Sequence, residues 1–231
     1  MKDSKYFNFP IQLIQGLFEN KIKTLNNIMN YAIYAYTLKL NEVDKMVKLN
    51  CALNYYGVEF HGTTDKKKRL VIGEELYKSL QSPPKVGLSL PVFWDFYDNE
   101  KNDFDLACLA AFLAIKSILG TKSYCKITNA FLWSRMSGRA KAIDNYWMLN
   151  ESVIKYANEY QTVKIKRALR DSWGLVNYGH YTRGFYVSFT LSLDALVFEV
   201  EKRRKTTKDK IYKQAEKEAI SKALERLRNN N

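Results

Sequence analysis

The sequence contains few of the residues that build metal centres and disulfide frameworks. It has 3 cysteines, at positions 51, 108 and 125, and no CxxC pair. An odd number of separated cysteines argues against a disulfide framework and predicts free thiols in a reducing compartment. The 2 histidines, His61 and His180, are too few to complete a tetrahedral zinc site without paired cysteines. We therefore expect neither a metal ion nor another cofactor.

Long apolar segments are also missing. No run reaches the ~20 apolar residues that a membrane span needs, and the N-terminal sequence MKDSKYFNFP has no apolar signal core. The longest apolar stretch, at residues 106–119, is interrupted by Lys116 and predicts a buried helix. These absences predict a soluble, cytoplasmic protein without a membrane partner.

Motifs of known enzyme classes do not occur in the sequence. There is no P-loop, GxSxG, HExxH or GxGxxG motif. Carboxylates lie close together at Asp95, Asp98, Glu100, Asp103 and Asp105. A two-metal nuclease needs carboxylates that converge from separate elements, so this stretch is better explained as a solvated linker with Asp103 as a helix cap. We expect no catalytic residues and no enzymatic activity.

Positive charge is what the sequence has in excess. Lys and Arg number 37 against 24 Asp and Glu, which gives a formal net charge of +13 and a pI near 9.5. Such a surface attracts polyanions, so nucleic acid, an anionic membrane and an acidic protein are candidate partners. Residues 201–228 hold nearly half of this excess. The segment 199–231 predicts one basic helix that could pack on the body, form a homodimer or lie along DNA.

The predicted architecture is mainly α with small β-hairpins, an α+β class. Residues 6–10 predict an extended segment, and residues 58–72 predict a β-hairpin with a basic tip at 66–69. Helices are predicted from apolar periodicity at 24–39, 42–53, 104–119 and 128–136. A Pro-Pro pair after Ser82 predicts a domain boundary. The predicted units are 1–82, 86–198 and 199–231.

A helix, a turn, a second helix and a hairpin are predicted in this order between residues 150 and 189. The first helix begins at Asn150, and the second begins at a Thr162 cap and ends before Gly174. The inward side of the second helix is formed by Ile165, Leu169 and Trp173. Turn residues around 179–184 separate the two alternating segments of the hairpin.

The opposite side of the second helix is rich in cations. An α-helix fits the major groove of DNA, where Arg and Lys donate to guanine and Gln pairs with adenine. The contacts predicted from this helix are Gln161, Thr162, Lys164, Lys166, Arg167 and Arg170. Phosphate contacts are predicted at the hairpin tip and the basic cluster, by Arg183, Lys67, Lys68 and Arg69.

This segment resembles the winged helix-turn-helix superfamily of DNA-binding regulators and initiators. The resemblance is carried by Thr162-Val163, Arg167-Ala168-Leu169-Arg170 and Gly174-Leu175-Val176. It implies a recognition helix at 161–173, a wing at 177–186 and double-stranded DNA as the partner.

The order helix, helix, hairpin is also predicted in the N-terminal half. In this order the chain is similar to the tandem winged-helix replication initiators of plasmids and related mobile elements. The similarity implies replication initiation or transcription regulation of a mobile element. Two alternatives stay open: a phage or mobile-element module that docks on an acidic protein, and an RNA-binding protein. Base stacking in the latter would use aromatic residues near the wing, Tyr178, Tyr181 and Tyr186.

Overall fold

The computed structural model describes residues 5–60, 62–80, 84–143, 145–179 and 184–229, with the backbone alone at 146 and 223–229. The described residues are mainly helical with two small antiparallel sheets, which confirms the predicted α+β class. The helices are α1 (Lys21–Thr37), α2 (Lys45–Tyr56), α3 (Thr63–Ser79), α4 (Leu90–Asp98), α5 (Asp103–Leu119), α6 (Asn129–Met136), α7 (Glu151–Ile154), α8 (Glu159–Trp173) and α9 (Leu193–Asn229). The strands are β1 (Tyr6–Pro10), β2 (Lys85–Ser89), β3 (Cys125–Ile127), β4 (Val176–Tyr178) and β5 (Phe185–Ser188). Short 3₁₀ turns occupy Ile11–Gly16 and Tyr146–Met148.

The first sheet connects segments that are far apart in the sequence. β1 pairs antiparallel with β2, so that Phe7 lies opposite Leu88 and Phe9 lies opposite Val86. All four side chains are buried in the main hydrophobic core. The predicted extended segment is confirmed as β1, whereas its partner strand is not evident from the sequence. Buried residues from both sides of the predicted boundary at 82–86 belong to this one hydrophobic cluster.

The β-hairpin predicted at 58–72 is wrong, because most of this segment belongs to α3. Asp65 lies in the first turn and Lys78 in the last turn, where each charge interacts favourably with the helix dipole. Pairs spaced four residues apart also favour the helix: Arg69 lies 3.1 Å from Asp65, and Lys78 lies 2.7 Å from Glu74. The basic cluster therefore lies on the first turns of a helix and not at a hairpin tip.

α3 packs closely along α1 at Gly73. An ideal Cβ on Gly73 would lie 2.4 Å from the carbonyl oxygen of Asn30 and 2.9 Å from the Cβ of Tyr34. Backbone atoms cannot yield to such a contact, so only glycine lets the two helices approach this closely. α2 also packs on α1, which makes α1 the central helix of the N-terminal half.

α5 is the central helix of the second half and is buried along most of its length. It confirms the helix predicted at 104–119, including its end at Gly120. The predicted Asp103 cap is wrong, because the cap is Asn102. Asn102 Oδ1 accepts from the backbone N–H of Asp105 at 2.9 Å, and the Asp105 carboxylate accepts from the backbone N–H of Asn102 at 3.1 Å. α6 and α8 both pack against α5.

The second sheet has the strand order β3-β5-β4, with both pairs antiparallel. Along β5, Phe185 and Val187 face the main core, whereas Tyr186 faces α9. The predicted hairpin is confirmed as β4 and β5, but the pairing of β5 with β3 is not evident from the sequence. This sheet therefore has α5 and α8 on one face and α9 on the other.

α9 begins at Leu193, before the predicted start at 199. Leu196 and Val200 are buried against the outer face of the second sheet and anchor the helix there. From residue 205 to residue 222 its side chains are exposed. Within the part of the chain that the structure describes, no helix has both the length and the apolar character needed to cross a bilayer.

Replacing Gly73 with alanine tests the contact between α1 and α3. In an exposed helix this change is stabilising by about 1 kcal/mol, but here the new methyl group would meet the Asn30 carbonyl. We expect Gly73→Ala to lower the free energy of unfolding by about 1–3 kcal/mol in urea denaturation. Glu75→Ala, on the exposed side of the same helix, serves as the control and should change it by less than about 0.5 kcal/mol. Unchanged or increased stability of Gly73→Ala would contradict the close approach.

Candidate nucleic-acid interface

α8 is fixed to the protein by the apolar stripe that the sequence predicts. Ile165 and Leu169 are buried in the main core. The Trp173 ring packs against Phe112 of α5, with 4.5 Å between the ring centroids, and against Phe96 of α4 at 6.1 Å. The helix ends at Gly174, as predicted, where φ is 69°. These contacts leave the opposite side of α8 facing outward.

Thr162 lies on the inner side of α8 and not on its exposed side. The predicted Thr162 cap is wrong, because Asn158 Oδ1 accepts from the backbone N–H of Gln161 at 2.9 Å. The Thr162 hydroxyl accepts a hydrogen bond from Trp133 Nε1 at 2.9 Å and donates to the Asn158 carbonyl at 2.7 Å. Its side chain is only 1% exposed. Thr162 therefore holds α8 against α6 and is not positioned to meet a nucleic acid.

The helix predicted to begin at Asn150 is confirmed as the single turn α7. Val153 of this turn and Ala157 after it are buried. The hydrogen bond from Trp133 shows that α6 contacts α8 directly. Residues 137–158 separate these two helices, a longer connection than the usual helix-turn-helix turn of about 3–4 residues.

Arg135 stabilises the start of this connection. Its guanidinium is buried, donates to Ser117 Oγ at 3.1 Å and to the Ala140 carbonyl at 2.9 Å, and packs on a phenylalanine ring. Burial lowers the pKa of Arg135, and no carboxylate of the described residues pairs with it. Because Ser117 and Arg135 lie near the ends of α5 and α6, the carbonyl ends of both helices favour the positive charge.

The outward side of α8 carries cations beside an exposed aromatic ring. Tyr160 is 66% exposed, and Lys164 Nζ lies 4.6 Å from the centroid of its ring. Arg167 is exposed and forms no side-chain hydrogen bond or ion pair with the described residues. Arg170 pairs with Asp171 at 3.1 Å, but both side chains are more than half exposed, so this ion pair is weak. With the half-buried Gln161, these residues form the outward face of α8.

Lys166 belongs to the sheet side of α8 and not to the outward face. Its side chain is half-buried, and its Nζ lies 4.3 Å from the centroid of the Phe185 ring in β5. Burial lowers the pKa of Lys166, and the charge of Glu159 opposes this shift. A cation over an aromatic face in a partly dry environment contributes mainly to packing. Lys166 is therefore less available to a polyanion than its neighbour Arg167.

The β4–β5 hairpin lies beside α8. Residues 180–183, including Arg183, lie outside the described residues. The hairpin returns to the sheet at Gly184, where φ is 100°. A Cβ there would lie 2.4 Å from the Ile127 carbonyl of β3, so this position requires glycine.

The basic cluster at 66–69 belongs to α3, which packs on α1, whereas α8 packs on α5. Lys67 and Lys68 are exposed. Arg69 is instead held in place: its Nε lies 3.1 Å from the Asp65 carboxylate, and an Nη atom donates to Asn26 Oδ1 at 3.1 Å. Its guanidinium also lies over a phenylalanine ring at 4.3 Å. Arg69 therefore helps to join α3 to α1, in contrast to the two exposed lysines.

Replacing Thr162 with valine tests the attachment of α8 to α6. Valine keeps the size of the side chain but removes the hydroxyl that accepts from Trp133 Nε1. We expect Thr162→Val to lower the free energy of unfolding by about 1–3 kcal/mol in urea denaturation. Ser172→Ala, at an exposed position of the same helix, should have an effect below about 0.5 kcal/mol. Equal effects of the two changes would contradict the inward role of Thr162.

The resemblance to the winged helix-turn-helix superfamily is not supported by the known proteins compared with this chain. Comparisons of this chain with protein-family models, with curated proteins and with solved structures found no match.

Proposed function

We propose that this protein binds double-stranded DNA through the outward face of α8. The observation that carries the proposal is the combination of a firmly packed inner side with an outward side that presents Lys164, Arg167 and Arg170. A rigid helix that presents cations at helical spacing fits the major groove and meets phosphates at the groove edges. The net charge of +13 would steer the whole protein toward such a polyanion.

The arrangement around α8 supports a winged helix-turn-helix. α6 contacts α8, and the β4–β5 hairpin follows α8 directly in the chain, although the single turn α7 lies between α6 and α8 in sequence. β3 completes a small sheet beside these helices. In proteins of this type the second helix enters the major groove with its N-terminal residues near the bases. Tyr160, Gln161 and Lys164 lie in that half of α8, so we assign base contacts to them.

Other cations would add contacts to the DNA backbone. Arg167 and Arg170 lie further along the outward face and are assigned to phosphates. Arg183, which lies outside the described residues, is assigned to phosphate from the sequence alone. The exposed Lys67 and Lys68 and the cations of α9 would add affinity that does not depend on base sequence.

From the resemblance carried by residues 162–176, we propose that the protein is a replication initiator or a transcription regulator. The helix-helix-hairpin order in the N-terminal half does not support this role, because Thr63–Ser79 form α3 and not a hairpin.

Neighbouring residues on α8 allow a matched test of this proposal. Arg167→Gln and Lys166→Met each remove one positive charge, but only Arg167 lies on the outward face. We expect Arg167→Gln to weaken binding to a fluorescein-labelled duplex of about 30 base pairs by about tenfold in fluorescence anisotropy. Lys166→Met should stay within about twofold of the unaltered protein. Equal losses would contradict the assignment of the outward face.

Competition experiments separate DNA binding from the two alternatives. Unlabelled duplex should displace the labelled duplex better than single-stranded DNA or RNA of the same sequence. A preference for RNA would favour the RNA-binding alternative. Failure of the unaltered protein to bind any nucleic acid in a salt-dependent manner would leave docking on an acidic protein as the better explanation.

A further inference from the structure

A second concentration of positive charge lies between α9 and the outer face of the second sheet. A groove of about 340 Å³ opens there, and we call it the back groove. It is lined by Lys126, Tyr186, Arg203, Arg204, Thr207 and Lys208. A neighbouring depression of about 450 Å³ shares Arg203 and Thr207 with it and continues along α9 past Tyr124. The two depressions lie side by side along α9.

The strand register and the helix spacing explain why these residues converge. Lys126 of β3 lies directly opposite Tyr186 of β5, so both side chains project from the outer face of the sheet. Val200 anchors α9 on the same face. Arg203, Arg204 and Thr207 follow Val200 by three, four and seven residues, so they lie on the same side of the helix.

In the back groove and the depression beside it, six lysine and arginine side chains outnumber two carboxylates, Glu199 and Glu201. Glu201 accepts a hydrogen bond from Arg204 at 2.7 Å and another from the Tyr178 hydroxyl at 3.0 Å. Lys126, Arg203 and Lys208 form no side-chain hydrogen bond or ion pair with the described residues. Like charges beside a low-dielectric wall produce a strong positive potential, which a bound anion relieves.

We propose that the back groove binds the phosphodiester backbone of a nucleic acid, as a second contact on the opposite face of the sheet from α8. This inference rests on the proposed DNA-binding function. The residues of α9 that line the back groove and the neighbouring depression extend from Glu199 to Lys210, a length of about 16 Å at 1.5 Å per residue. Because phosphates of one strand advance by about 3.4 Å each along B-DNA, this length is sufficient for a run of phosphates. The protein would therefore hold backbone on both sides of the β3-β5-β4 sheet.

A triple variant tests the back groove in the 231-residue chain. Lys126→Gln, Arg203→Gln and Lys208→Gln are combined, and binding to the labelled duplex is measured by anisotropy over a range of salt concentrations. We expect about tenfold weaker binding and a slope of log K against log salt that is smaller by about 2–3. Circular dichroism of this variant and of the control variant below checks that each retains the fold.

The matched control removes three positive charges elsewhere. Lys39→Gln, Lys45→Gln and Lys85→Gln change exposed lysines outside α8 and α9. Binding by this control should stay within about twofold of the unaltered protein. Equal losses in the two triple variants would overturn the inference, because the back groove would then act only through net charge. Absence of salt-dependent binding by the unaltered protein would instead overturn the proposed function itself.

Lysine footprinting gives an independent measurement on the unaltered protein. Acetylation rates of individual lysines are compared by mass spectrometry with and without saturating duplex. The duplex should protect Lys126 and Lys208 along with Lys164, while Lys39 and Lys45 remain reactive. Protection of Lys164 alone would overturn the back groove and leave the assignment of α8 intact.

Discussion

The packing of α8 against α5 is the interaction on which the arrangement of the charged surface depends. Leu169 and Ile165 are buried in the core, and Trp173 lies against Phe112 of α5. Burial of these side chains fixes the rotation of α8 about its own axis, because neighbouring residues on a helix are separated by a constant angle. Arg167 must then face outward. The same packing places the β4–β5 hairpin, since Gly174 ends α8 immediately before β4.

Local patterns in the sequence predict the elements whose stability is local. The apolar period of α5 and α8 and the glycine that ends each of them predict these helices closely. Pairing between distant segments has no such signal, so the partnerships of β1 with β2 and of β3 with β5 are visible only in the structure. At 58–72, β-branched residues and a polar turn predict a hairpin that does not form. Charge pairs at helical spacing and the packing of Gly73 on α1 favour α3 instead.

The candidate site was predictable at the level of a helix face, but not for each residue. Lys164, Arg167 and Arg170 lie outside because they oppose the apolar stripe. Thr162 lies three residues before Ile165 on the buried side of the helix, where its hydroxyl accepts a hydrogen bond from Trp133 of α6. Lys166 lies at the border of the outward face, where it packs on Phe185 of β5. The role of Arg69 also depends on its neighbours, because its bonds to Asp65 of α3 and Asn26 of α1 hold its guanidinium between these two helices. The cations of the back groove come together only through the β3–β5 register and the start of α9.

The most direct measurement is the perturbation of backbone amide NMR signals when unlabelled duplex DNA is added to isotope-labelled protein. The largest changes should occur along the outward face of α8, at Tyr160, Lys164 and Arg167. Signals from α2, which packs on α1 at the other end of the chain, should remain unchanged. Saturable changes that leave α8 unaffected, or the lack of any change at low salt, would contradict DNA binding by this helix.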